Sequence, residues 1–263
     1  MSAVESIAES VTSAVNAAAE TAASVAQTLI SEVLNTATEL GASPTKFDLT
    51  DFINEKLALW GEICMELVSS IDFENKLFML ACFCVCFNPM FWNIVARMEY
   101  KTHFLTKLAG SAKKGCYILA FIIFSLGIVR DIVYERALAA QPVSALLTGD
   151  YVKCAGYLSI GVGQVLVLTS MYQLGITGTY LGDYFGILME ERVTTFPFNV
   201  SNNPMYQGST LSFLGAALVS GKPAGLLIAF LVSTMYQGAL QLEEPFTAQI
   251  YAKRDQERSK KNI

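Results

Sequence analysis

Charge is what this 263-residue sequence has least of. Asp, Glu, Lys and Arg make up 16% of it, against about 25% in an ordinary soluble domain. Hydrophobic residues make up 53%, and the mean hydropathy is +0.43. That balance excludes an ordinary soluble globule and points to a membrane. Histidine occurs once, at His103 in YKTHF, so a multi-histidine metal site is excluded. A Ser-His-Asp arrangement has no local support there either. Residues 1 to 45 contain no Lys or Arg. A secretory n-region and a mitochondrial presequence both need positive charge, so targeting is expected from an internal hydrophobic segment. The net charge of −5 argues against a nucleic-acid partner.

Cysteine is present six times but in no framework. Cys82, Cys84 and Cys86 in CFCVC resemble a metal motif at first sight. On a helix alternate residues point about 200° apart, so three such thiols cannot converge on one ion. They read as small apolar residues, and no metal site is expected.

The apolar content is concentrated in runs. Residues 1 to 50 are rich in Ala, Ser, Thr and Glu, with a thin apolar stripe of Ala and Val. They read as a mobile, partly helical extension. Residues 52 to 70 form a stronger amphipathic stretch, expected on a membrane surface. Residues 77 to 96 are long enough to span, and about 20 residues suffice. Asn88-Pro89 interrupts them, so a re-entrant or kinked helix fits as well as a crossing. Further spans are expected at 116–134 and 154–174. The last run, 209 to 242, is too long for one crossing. Ser220-Gly221-Lys222-Pro223 breaks it, which predicts a helical hairpin. The expected fold is all-α, a polytopic integral membrane protein with about four membrane helices.

Charges between the runs bear on orientation. Arg97, Lys101, Lys107, Lys113 and Lys114 crowd residues 97–114, and Lys253, Arg254, Arg258, Lys260 and Lys261 crowd the end. The positive-inside rule places both in the cytosol. An even number of crossings must then separate them, as the hairpin provides. Three crossings, with 209–242 as one span, would put residues 97–114 on the other side.

Three short motifs stand out. Glu243-Glu244 closes the last apolar run, just before Pro245. Proline removes a backbone donor and restricts its predecessor, so the helix is expected to end there. Two carboxylates at a helix C-terminus oppose the macrodipole and call for a cationic ligand. Gly161-Val162-Gly163 lies inside a span, where small residues most simply serve close helix packing. Asn203-Pro204-Met205-Tyr206-Gln207-Gly208 precedes the hairpin. Pro204 suits the first turn of a helix, and Tyr206 suits an interface or a ligand contact.

FNPMFWNIVARMEY (87–100), LGITGTYLGDYFGILMEERVTTFPFNVSNNPMYQGSTLSFLG (174–215) and EEPFTAQIY (243–251) together closely resemble the class III phospholipid N-methyltransferases, over residues 70 to 256. The resemblance implies S-adenosylmethionine as methyl donor and a phospholipid in the bilayer as acceptor. It implies donor binding at Gly161, Val162 and Gly163 and at Glu243 and Glu244. It implies a multi-pass protein of the endoplasmic reticulum membrane, extending to a mitochondrial membrane, with its active site facing the cytosol. Residues 51–256 would then be the membrane-embedded methyltransferase domain, and 257–263 a basic cytosolic tail. The NPMYQG segment also resembles the donor-site loop of isoprenylcysteine carboxyl methyltransferases, with Asn203 where those carry His. Asn203 and Tyr206 are therefore candidates for donor or acceptor contacts. No catalytic base is singled out, because an apolar site beside a sulfonium would itself lower the acceptor amine's pKa.

Overall fold

The computed structural model describes residues 49–191 and 193–261, so the extension expected over residues 1 to 50 lies almost wholly outside them. Every regular element among the described residues is helical. Contacts divide the chain into two units, Met1–Glu74 and Asn75–Ile263. The first holds helix α1, Leu49–Ser69, which corresponds to the amphipathic stretch of the sequence. Trp60, Leu59 and Met65 stand exposed on it.

The second unit begins at a built start signal. The Asn75 side chain accepts the backbone N–H groups of Leu77 (3.0 Å) and Phe78 (3.2 Å), capping α2, Lys76–Thr102. This helix runs unbroken through Asn88-Pro89. Asn93 Nδ2 donates to the Pro89 carbonyl (3.1 Å), and Asn88 Nδ2 donates to the Leu126 carbonyl of a neighbouring helix (3.2 Å). The re-entrant alternative is thus replaced by one continuous helix, long and apolar enough to cross. His103 turns the chain in a left-handed conformation (φ 54°). A short helix, α3 (Phe104–Ala109), follows. The buried Glu99 carboxylate accepts the Leu105 N–H (2.6 Å) and the Thr106 N–H (3.2 Å), capping α3 from the preceding helix.

Helix α4, Ala112–Ala140, returns across the bundle. A 3-10 turn (Ala145–Leu147) leads to α5, Asp150–Thr179, interrupted near its end by Gly175 at φ 63°. A second 3-10 turn, Gly182–Phe185, carries buried Tyr184 and Phe185. Then come α6, Pro204–Ser220, with Pro204 in its first turn as expected, and α7, Pro223–Lys261. Gly221, at φ 66°, caps α6 with its N–H on Leu218 and Ala217 carbonyls and makes the hairpin turn. Helices α2, α4, α5 and α7 are long and apolar enough to span a bilayer. Helix α6 is shorter, roughly 25 Å at 1.5 Å per residue. Phe121, Phe124, Leu158, Leu168 and Phe230 are exposed on the bundle and suit a lipid boundary.

The two ends differ in what they gather. At one end, Ser144 N–H donates to the Gly221 carbonyl (3.0 Å), and Lys222 Nζ donates to the Gln141 carbonyl. At the other lie the end of α2, α3, the start of α4, the turn at 182–185 and the second half of α7. Ala96, Leu105, Cys116, Leu119, Tyr184 and Phe185 form one buried cluster there. Four helices, α4 to α7, run between the ends. The basic segment 97–114 and the end of α7 therefore share one end, as the hairpin reading requires and the three-crossing reading does not.

One expectation is overturned. Helix α7 does not stop at Glu244 but continues through Pro245 to Lys261. Arg97 Nη2 donates to the Leu242 carbonyl (2.8 Å), supplying a side-chain donor beside the proline. Downstream, the Thr247 hydroxyl donates to Asp183 (2.6 Å), and Arg254 Nη1 donates to the Met189 carbonyl (2.8 Å). The Tyr251 hydroxyl accepts the Met189 N–H (3.1 Å). These contacts hold the second half of the helix in place. Glu243 and Glu244 are mid-helix residues, and the macrodipole argument for them fails.

Candidate active site around Glu243

Glu243 is nonetheless a carboxylate held by three side chains from two other helices. Its Oε1 accepts from Trp92 Nε1 (2.7 Å) and Asn93 Nδ2 (2.8 Å), both on α2. Its Oε2 accepts from the Tyr206 hydroxyl (2.7 Å) on α6. Neighbours on a helix point about 100° apart, so Glu244 faces elsewhere. Its Oε1 accepts from Asn203 Nδ2 (2.9 Å), in a more exposed pair. Asn203 stands at the N-cap position of α6 and makes no side-chain cap bond; its Nδ2 donates to Glu244. Two of the expected site residues, Asn203 and Tyr206, thus each meet one of the two expected carboxylates.

Aromatic rings pack around this centre. The Trp92 and Tyr236 centroids lie 6.4 Å apart, and those of Tyr206 and Tyr236 lie 4.8 Å apart. On the other side, the Arg97 guanidinium sits over the Phe246 ring at 4.8 Å, and Phe246 packs on Tyr100 and Tyr184. Among the described residues four buried side-chain atoms have no hydrogen-bond partner: Thr179 Oγ1, the Tyr184 hydroxyl and, on this face of α2, Asn93 Oδ1 and Arg97 Nε. A bare buried polar atom costs about 1–3 kcal/mol, so two beside one carboxylate mark a place where a polar ligand would be stabilised.

The glycine motif sits differently. A Cβ on Gly163 would lie 2.5 Å from the Gly208 carbonyl oxygen and 2.6 Å from Ser212 Oγ. Gly163 is therefore a contact between α5 and α6. Gly161 has no protein atom within 4 Å of its Cβ direction, and Val162 is exposed. The carboxylates' hydrogen bonds come from α2 and the start of α6, and the motif reaches that region through its packing on Gly208, two residues from Tyr206.

Sequence reasoning missed Trp92, Asn93, Arg97 and Tyr236. A signal was present: Asn93 inside the apolar run and Arg97 just past its end are four apart, so they share one helix face. A polar stripe on an otherwise apolar crossing faces a partner or a cavity.

These features define an all-helical, multi-pass membrane protein with a carboxylate-centred polar site at one end of its bundle. Comparison with known proteins makes the class specific. The family model for phospholipid methyltransferase matches residues 152–254. Phosphatidyl-N-methylethanolamine N-methyltransferase of Saccharomyces cerevisiae is 65% identical over 202 residues, covering 77% of this chain and 97% of the relative. The protein of the same name in Neurospora crassa is 56% identical, over 74% of this chain and 92% of the relative. Human phosphatidylethanolamine N-methyltransferase is 45% identical, over 70% and 93%. No solved structure matches. The chain belongs to the phospholipid methyltransferase family and is a phospholipid N-methyltransferase.

Proposed function

We propose that the protein methylates phosphatidyl-N-methylethanolamine and phosphatidyl-N,N-dimethylethanolamine, with S-adenosylmethionine as donor, to give phosphatidylcholine. The relatives' names support the acceptor. The observation that carries the site is Glu243, fixed by Trp92, Asn93 and Tyr206 beside two unpartnered buried polar atoms.

The residues present fit the donor. Glu243 and Glu244 offer counter-charge to its ammonium and sulfonium. Asn93 Oδ1 is a free acceptor and Arg97 Nε a free donor. Gly161-Val162-Gly163 would contribute from α5: Gly163 sets the α5–α6 approach, and Gly161 leaves backbone bare for a close contact. When bound, S-adenosylmethionine supplies an electrophilic methyl group. The chain's own part is positioning and exclusion of water. Three hydrogen bonds hold the Glu243 carboxylate in one orientation, and the Trp92, Tyr206 and Tyr236 rings keep the neighbouring space apolar. An ammonium acceptor with the pKa of Lys, about 10.4, loses its proton at pH 7 at a cost of about 4–5 kcal/mol. An apolar site lowers that cost, as would a sulfonium held beside the amine, so positioning of the acceptor nitrogen does most of the work.

The end carrying Glu243 lies on the cytosolic side of the endoplasmic reticulum membrane, since both basic segments gather there. The test is transfer of labelled methyl from S-adenosylmethionine into each of the two acceptor lipids in vesicles holding the purified protein. Label in neither lipid would contradict the function. Cysteines at Lys107 and Arg258 in a cysteine-free background, probed with an impermeant thiol reagent on sealed microsomes, test the orientation. Both should react from outside; protection of both would reverse it.

A further inference from the structure

Deeper in the bundle lies a cation that the methyl-transfer site does not use. Arg130 follows the apolar run Cys116–Val129 on α4, and its side chain is only 12% exposed. A guanidinium within a membrane helix is costly to insert, so such residues call for a ligand or partner. Its one ion pair among the described residues is with its chain neighbour Asp131, whose side chain is 58% exposed. Both Nε and Nη2 reach the same atom, Asp131 Oδ1, at 2.9 Å. Nη1 donates to the Tyr236 hydroxyl (2.7 Å), and that hydroxyl lies 3.1 Å from Ser209 Oγ. The guanidinium also lies over the Phe213 ring at 4.9 Å. The hydrogens left over at this point are one each on Nη1 and Nη2 and one from the hydroxyl pair, all of them donors. A cluster of donors around a fixed guanidinium fork fits a phosphate.

Position narrows the source. Tyr236 precedes Glu243 by seven residues on α7, roughly 10 Å further from the carboxylate end. Its ring packs on Trp92 and Tyr206 beside Glu243, while its hydroxyl touches Arg130. Along the helix the order is carboxylate, aromatic rings, guanidinium. A lipid entering from that leaflet has the order amine, phosphate, acyl chains. Ring faces of Trp and Tyr attract an alkylammonium.

We propose that Arg130, with Tyr236 and Ser209, binds the phosphodiester of the acceptor lipid, while the Trp92, Tyr206 and Tyr236 rings receive its amine. The assignment rests on the lipid-acceptor reading above. Asp131 holds the guanidinium when no lipid is bound and yields it to the phosphate.

The experiment uses the full chain in non-ionic detergent micelles, with phosphatidyl-N-methylethanolamine varied as mole fraction. Arg130→Gln should raise the acceptor KM about 10-fold or more, since hydrogen bonds to charged groups are the stronger ones. Arg130→Lys should fall between, keeping charge but losing the fork. Tyr236→Phe should raise it about 3-fold. Donor affinity should stay within about 2-fold in all three, and Asp131→Asn should leave acceptor KM unchanged or lower. Dihexadecyl phosphate, which has no amine, should compete with acceptor in the parent protein and not in Arg130→Gln. Inorganic phosphate should not compete. Unchanged acceptor KM in Arg130→Lys and Tyr236→Phe overturns the proposal even if Arg130→Gln fails to fold. Competition by inorganic phosphate equal to that of the dialkyl phosphate overturns the lipid assignment. If the parent protein transfers no methyl at all, the proposed function is at fault. Thermal stabilisation of the parent protein, and not of Arg130→Lys, by dihexadecyl phosphate still tests this site.

Discussion

Two seams of the bundle are built by opposite rules. Where α5 meets α6, the contact is glycine on glycine. A Cβ on Gly215 would stand 2.5 Å from the Gly156 carbonyl oxygen, and one on Gly163 the same distance from that of Gly208. Backbones approach closely, as small residues permit between membrane helices. Where α2 meets α7, the contact is made by Trp92, Asn93 and Arg97 against Tyr236, Leu242, Glu243 and Phe246. Most of these side chains are large and several are polar, and two of their atoms, Asn93 Oδ1 and Arg97 Nε, are left without partners. Close-packed backbone leaves nothing free for a ligand. A seam of long polar side chains with unpartnered atoms does. The first seam sets the geometry, and the second carries the chemistry.

That contrast can be broken. The largest effect is expected at the glycine seam. Gly163→Leu should abolish the folded protein, because its side chain meets α6 backbone that cannot yield. Fluorescence-detected size exclusion would show the loss of the monodisperse peak, and a stable, active Gly163→Leu would remove the seam from the account. Gly161→Leu should keep that peak, since open space lies beyond its Cβ. If the motif contributes to donor binding, the donor KM should rise about 10-fold, or about 1.4 kcal/mol. An unchanged donor KM would leave Gly161 as a lipid-facing residue only. The smallest effect belongs to Asn203→Ala, which breaks a single, more exposed contact to Glu244. About 3-fold in kcat/KM is expected, in line with the modest net worth of one such bond. A 100-fold loss would move the chemistry from Glu243 to Glu244.

Much of the fold was legible because the bilayer demands long apolar helices, and those are visible as runs. Ser220-Gly221-Lys222-Pro223 announced the hairpin, and Pro204 announced the start of α6. The end of the last helix was misread at Pro245. Local chemistry says stop there, and the groups that override it, the Arg97 and Asp183 side chains and the Met189 backbone, come from distant stretches of chain. The same distance hid the site. Glu243 was chosen for a helix-end argument that does not hold, yet its partners Trp92 and Asn93 lie 151 and 150 positions away. No local pattern encodes that pairing. The polar stripe of Asn93 and Arg97 was the available clue.

The central claim is that Glu243, held by Trp92, Asn93 and Tyr206, forms the donor's site. Its direct test is the affinity of purified protein in lipid nanodiscs for S-adenosylmethionine, parent against Glu243→Gln, by isothermal titration with a thermal melt of each. The account predicts an affinity about 100-fold weaker, or about 2.7 kcal/mol, with the melting temperature held within a few degrees. Equal affinity in a folded Glu243→Gln would contradict it.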